Sequence, residues 1–323
     1  MKRRYALGTI PLAAAVLAEN IKTDAAEAAQ QPTRTKLAEV RMHNGAPTFF
    51  LRGKPAFYSS LWVATPTPGK WGHKKGSWPW PISGDTDSAQ RTAAATDTHI
   101  YTFFTGSEWS GPGKDHTGHF DFSKTEESFR EILKTDPDAL FHLRIQLEMS
   151  GRSNEYNGPP WWQSTYPDEC ELTSEGRQVE QSYASTVWRE EAKEFIRAYI
   201  AHLDNIGIAE RVTAYHVCAG QSTEWTKWSS SGRRACGDYS PPMKKHFREW
   251  LRRTYGEDVN ALRKTWNRPD VTFETSEVPS PEEQLGAKLY SFRDPKTERN
   301  VSDYYTCLAE LCADLNIDFC RTA

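Results

Sequence analysis

The spacing of hydrophobic residues predicts short strands alternating with helices along most of the chain. Short apolar runs rich in β-branched and aromatic residues predict four strands, over residues 56–63, 99–104, 140–147 and 212–219. Apolar residues recurring every three or four positions predict helices over residues 87–96, 123–133, 185–203, 241–255, 259–266 and 299–315. A β-hairpin over residues 38–52, turning at Asn44-Gly45, precedes this alternation.

Sequence signals at the helix ends support these boundaries. Ser123 and Glu126 have the spacing of a capping box, in which two side chains satisfy the first backbone donors of a helix. Pro241-Pro242 suits the first turn of the next helix, and Gly256 ends that helix.

Strands that alternate with helices, each strand being followed by a long polar loop, imply parallel βαβ units. The predicted fold class is therefore α/β, of the (β/α)8 TIM-barrel type, in which active sites lie at the carboxyl ends of the strands. Four strands correspond to about the first four βα units, so we expect the other half of the barrel to be missing. The predicted domains are an export signal over residues 1–30 and a partial barrel domain over residues 36–323.

The first 30 residues have the layout of an export signal. Lys2, Arg3 and Arg4 precede an apolar run over residues 5–18 and a stretch of small residues over 25–29. Either a Sec or a twin-arginine type of signal fits, and the alternative is a frayed helical tail. We therefore expect a periplasmic or extracellular protein. No later segment has the roughly 18 uninterrupted apolar residues of a membrane span.

Composition argues against nucleic acid and favours a sugar. The formal net charge is -3 and basic residues alternate with acids, so no basic surface for phosphates is predicted. The chain has 12 Trp and 13 Tyr, many of them in polar segments rich in Gly and Pro, where an aromatic ring is exposed. Since sugar rings stack on such side chains, we expect an oligo- or polysaccharide ligand.

All six cysteines lie in the second half of the chain, and none forms a CxxC pair, which argues against a zinc ribbon. In an exported protein Cys170 and Cys236 are the best candidates for a disulfide, because both are predicted to lie in loops that open on the same face. Cys218 falls within a strand and is predicted to be a buried thiol.

The fourth predicted strand runs into a polar loop that suits a sugar site. Beyond Gly220, the side chains of Gln221, Glu224 and Trp225 offer an amide, a carboxylic acid and a flat apolar face. Glycosidic cleavage needs one carboxylic acid to protonate the leaving oxygen and a second carboxylate as nucleophile or as base for water. The position of Glu224 after the fourth strand favours the acid/base role over a solvated surface charge.

Other strand exits supply candidate binding residues. Arg144 could orient Glu224 or a sugar hydroxyl, or equally serve as a structural ion-pair partner. Trp161-Trp162 suits a substrate wall, the alternative being a cover over the core. The residues predicted to bind substrate are Trp109, Arg144, Trp161, Trp162, Gln221 and Trp225.

A loop with His116 and His119 between Asp115 and Asp121 has the residue types of a divalent cation site. A hydrated loop that helps to start the next helix is the favoured interpretation. A metal-dependent barrel hydrolase remains the alternative. No GxGxxG, Walker-type loop or GxSxG elbow occurs, so nucleotide-dependent and serine-hydrolase functions lack support.

Seven stretches carry a family resemblance: Arg144-Ile145-Gln146-Leu147, Pro160-Trp161-Trp162, Tyr166-Pro167-Asp168-Glu169, Gln181-Ser182-Tyr183-Ala184-Ser185, Tyr215-His216-Val217, Glu224-Trp225 and residues 247–256. From about Gly45 onward, the chain resembles the amino-terminal half of the catalytic barrel of the clan A glycoside hydrolases. It is most similar to the β-galactosidase-like group around glycoside hydrolase family 42.

The resemblance implies a retaining enzyme that hydrolyses O-glycosidic bonds. In that clan the acid/base glutamate ends strand four, which Glu224 matches. The nucleophile glutamate ends strand seven, and we expect it beyond the last residue of this chain. The clan usually has Asn where this chain has Thr223, so the role of binding a sugar hydroxyl passes to Gln221.

Some family members bind zinc through a cysteine cluster, whose spacing this chain does not reproduce. We therefore expect no metal and no other cofactor. The alternative to an enzyme is a catalytically inactive carbohydrate-binding or truncated remnant of one.

Overall fold

The computed structural model describes residues 36–62, 95, 97–105, 109, 120–148, 161–220, 224–225, 236–286 and 292–323. They belong to two compact units, Met1–Ala56 and Phe57–Ala323. The predicted export signal over residues 1–30 and nearly all of the helix predicted over 87–96 lie outside the described residues.

The first unit is a three-stranded antiparallel sheet of β1 (Ala38–His43), β2 (Ala46–Leu51) and β3 (Lys54–Pro55). Asn44 and Gly45, with φ of 50° and 81°, form the turn between β1 and β2. Two consecutive residues with positive φ are what a two-residue type I′ hairpin requires, which explains the Asn-Gly pair. The predicted hairpin is confirmed.

A parallel sheet lies at the centre of the second unit. Its strands, in spatial order, are β4 (Ser60–Trp62), β5 (Ile100–Thr105), β6 (Leu140–Gln146) and β9 (Val212–Cys218). Each neighbouring pair is parallel, and Arg144 lies opposite His216. The α/β class is therefore confirmed, as are the strands predicted over 99–104, 140–147 and 212–219, to within one residue. Of the strand predicted over 56–63, only Ser60–Trp62 is a strand among the described residues.

The chain between β6 and β9 also contains a separate antiparallel pair, β7 (Cys170–Leu172) and β8 (Gln178–Gln181). The sequence pattern does not predict this hairpin, because its strands of three and four residues are too short to show a period.

The helices among the described residues are α1 (Ser123–Thr135), α2 (Trp161–Thr165), α3 (Thr186–Asn205), α4 (Pro241–Thr254), α5 (Val259–Trp266), α6 (Pro281–Leu285) and α7 (Arg299–Thr322). The bounds of α5 agree with the prediction. Helix α7 is longer than predicted, because its buried stripe continues beyond Leu315 to Phe319. None of the described helices is long and apolar enough to cross a membrane.

The capping box predicted at the start of α1 is not formed. Phe122 is the N-cap residue and Ser123 already lies inside the helix, so the spacing to Glu126 is out of register. The Asp121 carboxylate instead accepts a hydrogen bond from the Ser123 backbone N–H, at 3.1 Å. Helix α6 has a complete capping box, formed by Ser280 and Glu283.

Part of the core of the second unit lies on one face of the parallel sheet. Along β6, Phe141, Leu143 and Ile145 are fully buried, and the Phe141 ring lies 4.7 Å from that of Phe129 in α1. The side chains in between, such as Arg144, point to the opposite face and are partly exposed. This second face carries polar groups and is where a site can form.

The predicted disulfide between Cys170 and Cys236 is wrong, because all six cysteines are free thiols. Cys170 begins strand β7 rather than lying in a loop, and its thiol donates to the Tyr166 carbonyl at 3.5 Å. Cys236 is also buried, and burial raises the pKa of its thiol. Cys218 is a buried thiol in β9, as predicted.

Candidate active site

Arg144 lies on the polar face of the sheet, near the carboxyl end of β6. Its guanidinium carbon lies 4.6 Å from the ring centroid of Trp62 in β4 and 4.7 Å from that of Phe104 in β5. Cation–π contacts of this kind hold the guanidinium over both rings. The sheet therefore brings a cation and two aromatic rings together on its polar face. Substrate binding by Arg144 stays a prediction.

Two histidines lie on the same face of the sheet. The rings of His142 and His216 are 5.8 Å apart, and the Tyr58 hydroxyl is hydrogen-bonded to Nδ1 of His142. Burial, with smaller contributions from His216 and Arg144, lowers the pKa of His142 to about 4. Burial and the charge of Arg144 also lower the pKa of His216. Both rings are therefore neutral at pH 7.

The depressed pKa of His142 predicts a pH-dependent stability. The unfolded chain, with a His pKa near 6.5, binds a proton that the native state excludes down to about pH 4. Unfolding free energy should therefore fall as the pH drops through this window. Between about pH 7 and pH 5, we expect the free energy of unfolding of the wild type to fall by about 1 kcal/mol more than that of His142→Gln. This figure is reduced to allow for the partial exposure of His142. Urea unfolding followed by circular dichroism measures both losses, and equal losses would contradict the prediction.

Trp225 anchors the loop that follows β9. Its backbone N–H donates to the Ala219 carbonyl at 2.7 Å, and its indole N–H donates to the Val217 carbonyl at 3.4 Å. The ring lies 5.7 Å from that of Tyr183 and 6.1 Å from that of Phe319. Trp225 is thus half-buried against the strand end, and only part of its surface faces solvent.

Glu224 directly precedes this anchor, and its side chain is exposed. The structure therefore holds a carboxyl group in solvent at the carboxyl end of the fourth parallel strand. Gln221 and Thr223 lie outside the described residues. The acid/base role of Glu224 and the substrate role of Gln221 stay predictions.

The structure does not give Trp109 and Trp162 the open positions that the sequence predicts. Both are buried, with exposed fractions of 1% and 0%. Trp109 stacks on Phe195 at 5.3 Å, and Trp162 lies 4.7 Å from the Tyr166 ring. Because both indoles pack into the core, neither presents a face on which a sugar could stack.

Trp161 differs from its buried neighbour. It is only partly buried, and its indole N–H donates to the Trp109 carbonyl at 3.2 Å. That hydrogen bond fixes the ring and leaves part of its surface accessible. Of the three indoles predicted at these two strand exits, Trp161 alone keeps the exposure that a stacking role needs.

A buried carboxylate, Glu148, joins the ends of three strands. It lies two residues beyond β6, and its Oε2 accepts hydrogen bonds from the Gln181 side chain, at 3.2 Å, and from the Gly220 backbone N–H. The sequence places Glu148 at a strand exit. Its partners could not be inferred, because Gln181 belongs to the hairpin that the pattern does not predict.

The alternative cation site with His116 and His119 lies outside the described residues. Within the described part of the chain, no group of three or more His, Cys, Asp or Glu side chains is placed to hold a metal ion.

The chain matches the model of a known protein family. The family model of glycoside hydrolase family 42, described as beta-galactosidase, matches residues 116–285, which is just over half of the chain. No curated protein matches the sequence.

Solved structures give further likenesses. The catalytic domain of a beta-amylase from Paenibacillus polymyxa is 12% identical, with a TM-score of 0.57, over 73% of this chain and 59% of that protein. A beta-galactosidase from the psychrophilic Marinomonas ef1 is 16% identical, with a TM-score of 0.47, over 81% and 35%. A catalytic mutant of Gan42B, a GH42 beta-galactosidase from G. stearothermophilus, is 18% identical, with a TM-score of 0.43, over 72% and 33%.

At such low identity the first of these likenesses concerns the fold alone, and it agrees with an α/β architecture built on a parallel sheet. The chain spans between about a third and three fifths of the solved proteins it resembles.

Proposed function

Since the chain belongs to glycoside hydrolase family 42, we propose that it acts in the hydrolysis of β-galactosidic bonds in an oligo- or polysaccharide. One observation carries the proposal. The exposed carboxyl group of Glu224, beside the anchored Trp225, follows the fourth of four parallel strands. Active sites of (β/α)8 barrels are built on the loops that follow such strands. The sheet is proposed to be the first four βα units of that barrel.

The proposed reaction is a double displacement with retention of configuration. Glu224 protonates the glycosidic oxygen as a second carboxylate attacks the anomeric carbon, and Glu224 then deprotonates the water that releases the sugar. The second carboxylate should lie about 5–5.5 Å from Glu224, on a strand that is not among the four described.

Three side chains among the described residues are proposed to hold the sugar. Trp225 and Trp161 are partly exposed indoles, and each offers a flat apolar surface to the ring. Arg144, already positioned over Trp62 and Phe104, can donate hydrogen bonds to ring hydroxyls. Trp109 and Trp162, being buried, are proposed to support the core beneath these groups instead.

The substrate class is tested with the protein expressed from its complete coding sequence. We expect it to hydrolyse aryl β-galactosides faster than the matching β-glucosides and β-xylosides. Proton NMR of the first sugar released should show the β anomer, because two inversions restore the configuration. First release of the α anomer would contradict retention. Sugar binding with no hydrolysis would support a non-catalytic carbohydrate-binding protein instead.

The proposed export is tested on the same expression. If residues 1–30 act as a signal, amino-terminal sequencing of protein recovered outside the cytoplasm should begin after them. Recovery of an uncleaved cytoplasmic protein would contradict export.

A further inference from the structure

Glu148 occupies a junction between the exits of β6, β8 and β9. Its side chain is only 7% exposed, and its Oε2 accepts hydrogen bonds from two donors. One donor is the amide of Gln181, the fully buried last residue of β8. The other is the backbone N–H of Gly220, two residues beyond the end of β9.

The backbone that carries Glu148 is fixed on both sides. The Leu147 N–H donates to the Cys218 carbonyl at 2.8 Å, which extends the pairing of β6 with β9 by one residue. The Leu147 carbonyl accepts a hydrogen bond from the Trp188 indole at 3.1 Å. Hydrogen bonds therefore fix the backbone next to Glu148, and its carboxylate accepts the Gly220 N–H from this fixed position.

Gly220 is the point at which the chain leaves β9. Its φ of 81° lies in a region that side chains disfavour, so the chain turns sharply there. Five residues later Trp225 returns, with its N–H on the Ala219 carbonyl at 2.7 Å. We call the two described ends of this connection, residues 220 and 224–225, the Gly220 loop. Each end is held by a hydrogen bond, and Glu224 lies next to the second one.

We propose that Glu148 is a positioning residue, which holds the Gly220 loop so that the carboxyl group of Glu224 meets the glycosidic oxygen. The inference rests on the proposed acid/base role of Glu224. A buried donor that is left without its acceptor costs free energy. Loss of the Glu148 carboxylate should therefore release Gly220 and displace Glu224.

The proposal predicts a selective loss of activity. Glu148→Leu keeps the side-chain size and removes the acceptor, whereas Glu148→Gln keeps one oxygen whose two lone pairs can accept both hydrogen bonds. For an alkyl β-galactoside, which needs protonation, Glu148→Leu should lower kcat/KM about 100-fold, since a displacement of about 1 Å has effects of this size. For a dinitrophenyl β-galactoside, which does not, the loss should stay below about tenfold. Glu148→Gln should stay within about tenfold for both.

Hydrogen exchange measured by mass spectrometry gives a readout that does not need activity. In Glu148→Leu the peptide covering the Gly220 loop should exchange faster than in Glu148→Gln, and peptides from α3 should be unchanged. A Gln181→Met variant, which removes only one donor to the same oxygen, keeps the test available if Glu148→Leu does not fold, and it should show a smaller change in the same direction.

The outcomes separate this inference from the proposed function. Equal losses on both substrates, or unchanged exchange in the Gly220 loop, would overturn the positioning role of Glu148. If the acid/base assignment of Glu224 is wrong, a different measurement shows it. The loss of kcat/KM in Glu224→Gln would then not depend on the leaving group. That result would also remove the catalytic part of the positioning proposal, whatever the exchange data show.

Discussion

Glu224→Gln is expected to lower kcat/KM for alkyl β-galactosides by about 100- to 10,000-fold and to leave kcat/KM for dinitrophenyl β-galactoside within about tenfold of wild type. Glutamine preserves the size of the side chain and cannot supply a proton to the leaving oxygen. An alkoxide leaves only if it is protonated, whereas dinitrophenolate is stable without the proton. The measurement is kcat/KM across a series of leaving groups, with the protein from its complete coding sequence.

Glu175→Gln is the matched control, because Glu175 is exposed in the turn between β7 and β8 and is not placed in the proposed machinery. It should behave as wild type on every substrate. If Glu224→Gln loses the same factor on all leaving groups, or loses nothing, Glu224 is not the acid/base.

Azide adds an independent measurement of the same role. In Glu224→Ala the base that activates water is gone, so the second step becomes slow for a dinitrophenyl substrate. Azide needs no base, and it fits the space that the shortened side chain leaves. It should attack the anomeric carbon, displace the enzyme carboxylate and yield β-galactosyl azide. No acceleration by azide would contradict the acid/base assignment.

The strands and long helices could be predicted because their signals are local. The boundaries of α5 illustrate this, since the Asp258 side chain caps its first turn and Asn267 ends it with a φ of 53°. Asp and Asn are favoured at these two positions for reasons that involve only neighbouring residues. The capping box at α1 shows the limit, because a shift of one residue in the helix start made its spacing irrelevant.

The candidate site was predicted only in part, because its contacts join distant segments. Trp109 lies in a polar stretch, which suggests exposure, yet the ring stacks on Phe195 of α3 and is buried. Glu148 likewise has no local signal for its role, since its partners Gln181 and Gly220 come from two later strand exits. The sequence pattern predicts which residues follow a strand. It does not predict whether the side chains of those residues are buried.

A second buried carboxylate, Asp238, connects four segments of the second unit. Its Oδ1 accepts hydrogen bonds from the backbone N–H of Leu172 in β7, at 3.1 Å, and of Ser240 at the start of α4, at 2.8 Å. Its Oδ2 accepts one from the Ser182 hydroxyl at 2.5 Å. The Asp238 backbone N–H donates to the Tyr304 hydroxyl of α7 at 2.6 Å.

Asp238→Ala is therefore expected to lower the free energy of unfolding by about 3–5 kcal/mol, the largest stability change that we predict. It removes the acceptor of two buried donors and one partly buried donor, and each buried donor left unpaired costs about 1–3 kcal/mol. Asp238→Asn keeps an oxygen for the two backbone donors, and its amide can donate to the Ser182 hydroxyl. It should lose about 1 kcal/mol, because hydrogen bonds to a neutral acceptor are weaker.

Asp270→Ala controls for removal of a carboxylate, since Asp270 is exposed, and it should change stability by less than about 0.5 kcal/mol. Urea unfolding followed by far-ultraviolet circular dichroism gives all three differences from wild type. If Asp238→Ala is as mild as Asp270→Ala, the hydrogen bonds to Asp238 do not hold β7, Ser182 and α4 together. If Asp238→Asn is as damaging as Asp238→Ala, the charge matters more than the acceptor geometry.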